Sequence, residues 1–152
     1  MKTRIYIDTS VIGGCEDEEF KEQPSRLMGF FARGDYILVL SSLTVQELAV
    51  ASEAVRRSLK QVPEENIMPL QLDAEATDLA EAYISEGVLT PTMRADAQHI
   101  AMATIARVDV LVSWNFKHIV NLERIHGYNS VNLRRGYPLL EIRSPREVLR
   151  NE

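Results

Sequence analysis

Three acidic side chains hold positions from which they could do chemistry together. Asp8 closes the apolar run Ile5-Tyr6-Ile7, Glu47 follows the apolar run that starts at Tyr36, and Asp96 precedes a stretch of small and apolar residues. Carboxylates gathered at one point repel unless a cation lies between them. Hard oxygen donors of this kind suit Mg²⁺ or Mn²⁺. Such an ion lowers the pKa of a bound water and neutralises charge on a phosphate under in-line attack. Each acid also has a plain structural reading. Asp8 would end a strand by bonding local amides, Glu47 would complete a capping box with Thr44, and Asp96 would be a first-turn acid favoured by the helix dipole. None of these readings explains a convergence of all three, so the elements that carry them decide the matter.

The apolar patterning supplies those elements. Residues 4–8 read as a short buried strand, and residues 24–33 as a helix with Leu27, Met28 and Phe31 on one side and Gly34 as its stop. Tyr36-Ile-Leu-Val-Leu40 is a continuous run of strand formers, expected to be buried on both faces. Thr44, Val45, Leu48, Ala49, Val55 and Leu59 fall at helical spacing, which predicts one helix of about four turns with Glu47 in its first turn. Asp73 opens a further helix, with Ala76, Leu79, Ala80 and Tyr83 inward and Gly87 at its end; residues 92–107 form another. Residues 108–113 read as a buried strand, 122–134 as a helix weakened by Gly127, and 139–143 as a last strand. Ser144-Pro145-Arg146-Glu147 carries a cap, a proline at the first helical position and a glutamate three residues after the cap, which opens a short helix.

Apolar strands alternating with helices imply an α/β domain, three layers deep, with a mainly parallel sheet covered on both faces. Such sheets place their sites at the carboxyl ends of the strands. Asp8 ends the first strand, Glu47 and Asp96 lie near helix starts, and Asn115 follows the strand at 108–113. All four positions therefore point to one rim.

In that order and context the chain resembles the PIN-domain nucleases, and especially their VapC-like toxin branch. The matching pieces are Tyr6-Ile-Asp-Thr-Ser-Val-Ile12, Ser41 through Glu47-Leu48, Ala95-Asp96-Ala97-Gln-His-Ile-Ala101 and Asp109-Val-Leu-Val-Ser-Trp-Asn-Phe116, so the resemblance runs from the first strand to about Arg143. It implies a metal-dependent phosphodiesterase that cuts single-stranded or structured RNA, works in the cytoplasm, forms a homodimer and pairs with a small antitoxin protein. It also implies that Asp8, Glu47 and Asp96 hold Mg²⁺ or Mn²⁺ or organise the attacking water, with Ser10 supporting them through its hydroxyl. Where many of these nucleases carry an acid after the fourth strand, this chain has Asn115. A carbonyl oxygen there can still face a metal or its water, but one negative charge is gone, which predicts a single firmly held ion. It also keeps open a degenerate, non-cleaving module that binds RNA or protein.

Lys117 and His118, directly after Asn115, together with Arg94, flank the proposed rim and are candidates for neutralising a phosphate. Trp114 is read either as a base-stacking residue or as packing against the sheet, and Arg134 and Arg135 as a second basic spot. His99, His118 and His126 lack the close spacing of a zinc motif, and the acidic run Glu16-Asp17-Glu18-Glu19 lacks the alternating ligands and glycine of a calcium loop. No glycine-rich phosphate loop follows a strand, since Gly13-Gly14 has no accompanying lysine. A chain of 152 residues with 45% hydrophobic and 26% charged side chains suits one soluble domain spanning 1–152. The net charge of −5 leaves nucleic acid to be held by a local basic patch or through metal. Cys15 alone excludes an intramolecular disulfide and fits a reducing compartment. The apolar start is too short for a signal peptide, and no stretch reaches a membrane span.

Overall fold

The computed structural model describes residues 2–14 and 21–149. Five strands, β1 (Thr3–Ile7), β2 (Tyr36–Ser41), β3 (Ile67–Leu70), β4 (Val110–Val112) and β5 (Ile142–Arg143), form one sheet in the order β3-β2-β1-β4-β5. Every pairing is parallel. Among the described residues eight α-helices accompany them: α1 (Thr9–Gly14), α2 (Glu22–Arg33), α3 (Ser42–Leu48), α4 (Glu53–Lys60), α5 (Ala74–Ser85), α6 (Arg94–Ile105), α7 (Leu122–Arg134) and α8 (Pro145–Val148). Among the described residues no helix is long and apolar enough to cross a membrane.

The period-two alternation of strand side chains sorts the apolar residues into two cores. Ile5, Ile7, Leu38, Leu40, Val110 and Val112 face one way, against α1, α2, α4 and α8. Tyr6, Val39, Leu111 and Ile142 face the other way, against α5, α6 and α7. Both faces are covered, which is why the strands read as continuous apolar runs. Leu111 is fully buried at the centre of the second core, so Leu111→Ala would cost about 2–5 kcal/mol.

Most expected elements are present near their expected bounds, with caps as read: Gly34 is left-handed (φ 82°) after α2, Asp73 caps α5, and Ser144 and Glu147 form a capping box on α8. The single helix expected from Thr44 to Leu59 is instead two. Ser52 accepts a hydrogen bond from the Val55 amide and starts α4 afresh, and Val50 in the break is almost fully exposed. The Thr44–Glu47 capping box is absent too, because the cap of α3 is Ser41, whose Oγ accepts from the Thr44 amide. Strand β3 went unforeseen. It lies at the sheet edge, is only half-buried and contains Pro69, a residue that edge strands tolerate. Cys15 and the acidic run at 16–19 lie outside the described residues.

Candidate active site

From β1 the chain moves to β2 and β3 on one side, then crosses to β4 and β5 on the other. The carboxyl ends of β1 and β4 therefore flank the point where the winding reverses, the place where open α/β sheets form a crevice. Asp8 follows β1 and Ser113 follows β4, and the two meet there.

Asp8 is 5% exposed and its carboxylate is held by two serines. Ser10 Oγ donates to Oδ1 at 2.6 Å and Ser113 Oγ donates to Oδ2 at 2.6 Å. Each serine oxygen in turn accepts a backbone amide, Ser10 from Trp114 at 3.0 Å and Ser113 from Asn115 at 2.9 Å. Each hydroxyl has a single proton, and these amides leave it directed to Asp8. Burial nevertheless dominates and pushes the Asp8 pKa above the usual carboxylate value, against the opposing influence of His99 and the two serines.

Asp96, in the first turn of α6, is half-buried, and its pKa is also raised. Desolvation is the main cause, and the charges of Asp8 and Glu47 add to it. Among the described residues nothing hydrogen-bonds to its carboxylate. Glu47, on α3, behaves oppositely. A hydrogen bond from His99 is the main reason its pKa is lowered, with Thr9 helping. Both partners sit on the same oxygen: Thr9 Oγ1 donates to Oε1 at 2.7 Å, and His99 Nε2 lies 2.9 Å from it. The carboxylates thus act on each other across the crevice. His99 opposes the rise at Asp8 and Asp96 and lowers Glu47, and His118 also opposes the rise at Asp96.

The donor chemistry fits a hard divalent cation. One carboxyl is buried and a second half-buried, both destabilised as anions, a third lies within range of the second, and an ion among them would relieve all of it. Among the described residues no group of three or more His, Cys, Asp or Glu side chains forms a ready-made ion-binding set. The carboxylates share one electrostatic site without enclosing a common point, each of Asp8 and Glu47 being tied to protein donors.

Asn115 differs from expectation. Its Oδ1 accepts from the amides of Lys117 (3.2 Å) and His118 (3.0 Å), so the carbonyl oxygen caps the following turn instead of standing ready for a metal. Both partners are donors, which fixes Oδ1 as the inward atom of the amide. Lys117 is exposed, and among the described residues no side-chain bond ties it to the rim. His118 influences Asp96, and its Nδ1 is buried without a hydrogen-bond partner. Arg94 pairs with Glu81 (2.5 Å), and Arg134 and Arg135 both pair with Glu86, so these three arginines are engaged by acids outside the crevice. The Trp114 ring packs beside Phe116, with 5.8 Å between centroids, and against Gly14, where an added Cβ would lie 2.9 Å from Nε1.

No protein-family model matches the sequence, and no curated protein matches it. Solved structures do match the fold. The crystal structure of VapBC2 from Rickettsia felis bound to a DNA fragment from their promoter aligns with a TM-score of 0.57 at 13% identity, over 93% of this chain and 98% of that one. DNA-bound VapBC from Salmonella typhimurium aligns with a TM-score of 0.55 at 17% identity, over 94% and 98%. FitAcB from Neisseria gonorrhoeae aligns with a TM-score of 0.58 at 16% identity, over 93% and 97%. The chain has a PIN-like fold. The resemblance to VapC-type proteins read from the sequence is matched by three-dimensional similarity over nearly the whole chain.

Within this PIN-like fold, four contributors to the crevice escaped the sequence reading: Thr9, His99, Ser113 and Tyr6. One signal for His99 was available. It stands three residues after Asp96, and on a helix that spacing places both on one face. Ser113 and Thr9 carried no such signal, since their partners lie in distant parts of the chain.

Proposed function

We propose that the protein is a metal-dependent ribonuclease of VapC-like type, the toxin of a toxin–antitoxin pair. The observation that carries this reading is that Asp8, Glu47 and Asp96 lie near the sheet's reversal point, with Asp8 raised in pKa by burial and Asp96 by burial and the charges of the other two. An arrangement that raises the energy of its own anions is unfavourable for folding and serves a site that attracts cations. Asp8, Asp96 and Glu47 would hold Mg²⁺ or Mn²⁺, which supplies a water of lowered pKa and neutralises phosphate charge. Ser10 and Ser113 fix the plane of the Asp8 carboxylate. Thr9 and His99 fix Glu47. Asn115 holds the turn that carries Lys117 and His118 beside the crevice, where their cationic forms would meet the scissile phosphate of RNA. The similar structures are VapBC and FitAcB complexes, which supports a small antitoxin as partner. A homodimer working in the cytoplasm completes the proposal.

A second reading, a non-cleaving module that binds RNA or protein, is favoured by one observation: the Asn115 oxygen is occupied by two backbone amides. Cleavage of a mixed-sequence single-stranded RNA separates the two. The proposal expects cleavage with Mn²⁺ that is lost with EDTA and in Asp96→Asn. A folded protein that cuts no RNA, and whose melting temperature ignores Mn²⁺, would establish the binding module instead.

A further inference from the structure

We infer that His99 is a positioning residue for Glu47, holding one carboxylate oxygen so that the other is the one offered to the crevice. The inference rests on the proposed metal-dependent reading and extends it to a residue outside the acidic set.

The geometry is specific at both ring nitrogens. A carboxylate oxygen only accepts, so His99 Nε2 carries the hydrogen in its 2.9 Å contact with Glu47 Oε1. Thr9 Oγ1 donates to that same oxygen at 2.7 Å. Among the described residues nothing bonds to Oε2. On the other side, Nδ1 lies 2.5 Å from the Tyr6 hydroxyl, which is itself 2.8 Å from Ser41 Oγ. Ser41 caps α3 through the Thr44 amide, and its hydroxyl reaches Thr44 Oγ1 at 3.1 Å. The chain of bonds therefore starts at the cap of the helix that carries Glu47, passes through β1 and α6, and returns to the Glu47 side chain. The ring is 3% exposed and meets Tyr6 edge-on, with 5.7 Å between centroids and 74° between planes. It cannot turn without breaking bonds at both ends.

A histidine kept only for packing would need no such circuit. Its neighbours on the same helix, Ala97, Ile100 and Ala103, are apolar core residues, whereas His99 has a polar partner at each ring nitrogen. Glu47 is 35% exposed, and without its clamp this flexible side chain would spread over several rotamers. Partners of this kind, which orient a ligand without touching the ion, typically matter about 10–100-fold in metal affinity.

The test measures Mn²⁺ affinity by calorimetry, with melting in EDTA as a check of folding, for wild type, His99→Phe, His99→Gln and Tyr6→Phe. The expected result is a Mn²⁺ dissociation constant weaker by about 10–100-fold in His99→Phe. Tyr6→Phe, which frees Nδ1 while leaving the ring in place, weakens it in the same direction by less. His99→Gln, whose amide can still donate to Glu47, recovers most of the loss. Should His99→Phe fail to fold, the other two variants decide the matter alone. Affinities within about twofold of wild type in His99→Phe or, where that fails to fold, in Tyr6→Phe would overturn the inference, since ligand-orienting partners act well beyond that range. A glutamine no better than phenylalanine would also overturn it, reducing His99 to a packing residue. A wild type that binds no Mn²⁺ would overturn the metal-dependent reading itself, a different outcome from the first two.

Discussion

Replacing Asp8 with asparagine should make the metal-free protein more stable at neutral pH. The Asp8 carboxyl is 5% exposed, and its pKa is raised chiefly by burial. Burying a carboxylate costs several kcal/mol, roughly 4–5 after relaxation. Against this stand two hydroxyl–carboxylate bonds of 2.6 Å. Bonds to a charged group contribute about 1.5–3 kcal/mol each, and the neutral bonds of an amide about 0.5–1.5, so the exchange loses roughly 2–3 kcal/mol in all. The raised pKa agrees with burial outweighing the bonds, leaving a net gain of roughly 1–3 kcal/mol, or about 2–12 °C in melting temperature for a domain of this size. The pH dependence has a definite sign. A carboxyl whose folded pKa lies above its unfolded value binds its proton more tightly in the folded state. Its stabilising contribution is full below the ordinary carboxylate pKa of about 3.9 and is lost as pH rises through the folded value. Wild type should therefore lose stability upward from that pH in EDTA, and Asp8→Asn should keep only the share due to Asp96. Glu47, held low by His99, acts with the opposite sign in both proteins. Melts in EDTA across this pH range would check it. With Mn²⁺ at about a hundred times its dissociation constant, wild type should gain about 2.7 kcal/mol and the variant almost nothing. A variant that melts below wild type in EDTA at neutral pH would refute the reasoning.

Ser113→Ala removes a fully buried hydroxyl that serves Asp8 and the Asn115 amide together. A loss of about 2–4 kcal/mol in urea unfolding is expected, and one under about 1 kcal/mol would contradict the bonding described. Asn115→Asp keeps an oxygen for both backbone amides and adds a negative charge beside the crevice. Calorimetry should show a second Mn²⁺ bound and melts should show lower stability in EDTA, whereas unchanged stoichiometry would place Asn115 outside the ion's reach. Tyr83→Phe strands the buried Asn132 Oδ1 that its hydroxyl serves at 2.5 Å. It should cost about 1–2 kcal/mol while leaving Mn²⁺ affinity unchanged, a control that separates core stability from the site.

The fold was legible wherever burial imposes a period. The runs at Tyr36–Leu40 and 110–112 are apolar throughout because helices cover both sheet faces, and α2, α5 and α8 show their caps in the sequence. Legibility failed where no period exists. β3 is a short edge strand with a proline, and the gap between α3 and α4 is set by one serine cap within an unbroken helical spacing. The acids of the crevice were legible because strand ends and helix starts share an edge. The groups that orient them were not, because the Ser113–Asp8 and His99–Glu47 pairs join residues far apart in sequence. Asn115 shows the limit of reading a role from residue type. Its oxygen suits a metal in chemistry, but two local amides have claimed it.

The most direct measurement is the product chemistry of RNA cleaved with Mn²⁺ in water enriched in oxygen-18. If Asp8, Glu47 and Asp96 serve to direct water at phosphorus, the new phosphate end carries one labelled oxygen, no 2′,3′-cyclic phosphate forms, and Asp8→Asn, Glu47→Gln and Asp96→Asn each abolish the product. Cleavage that yields a cyclic phosphate without label, or that survives in all three variants, would contradict a metal-activated water held by these carboxylates.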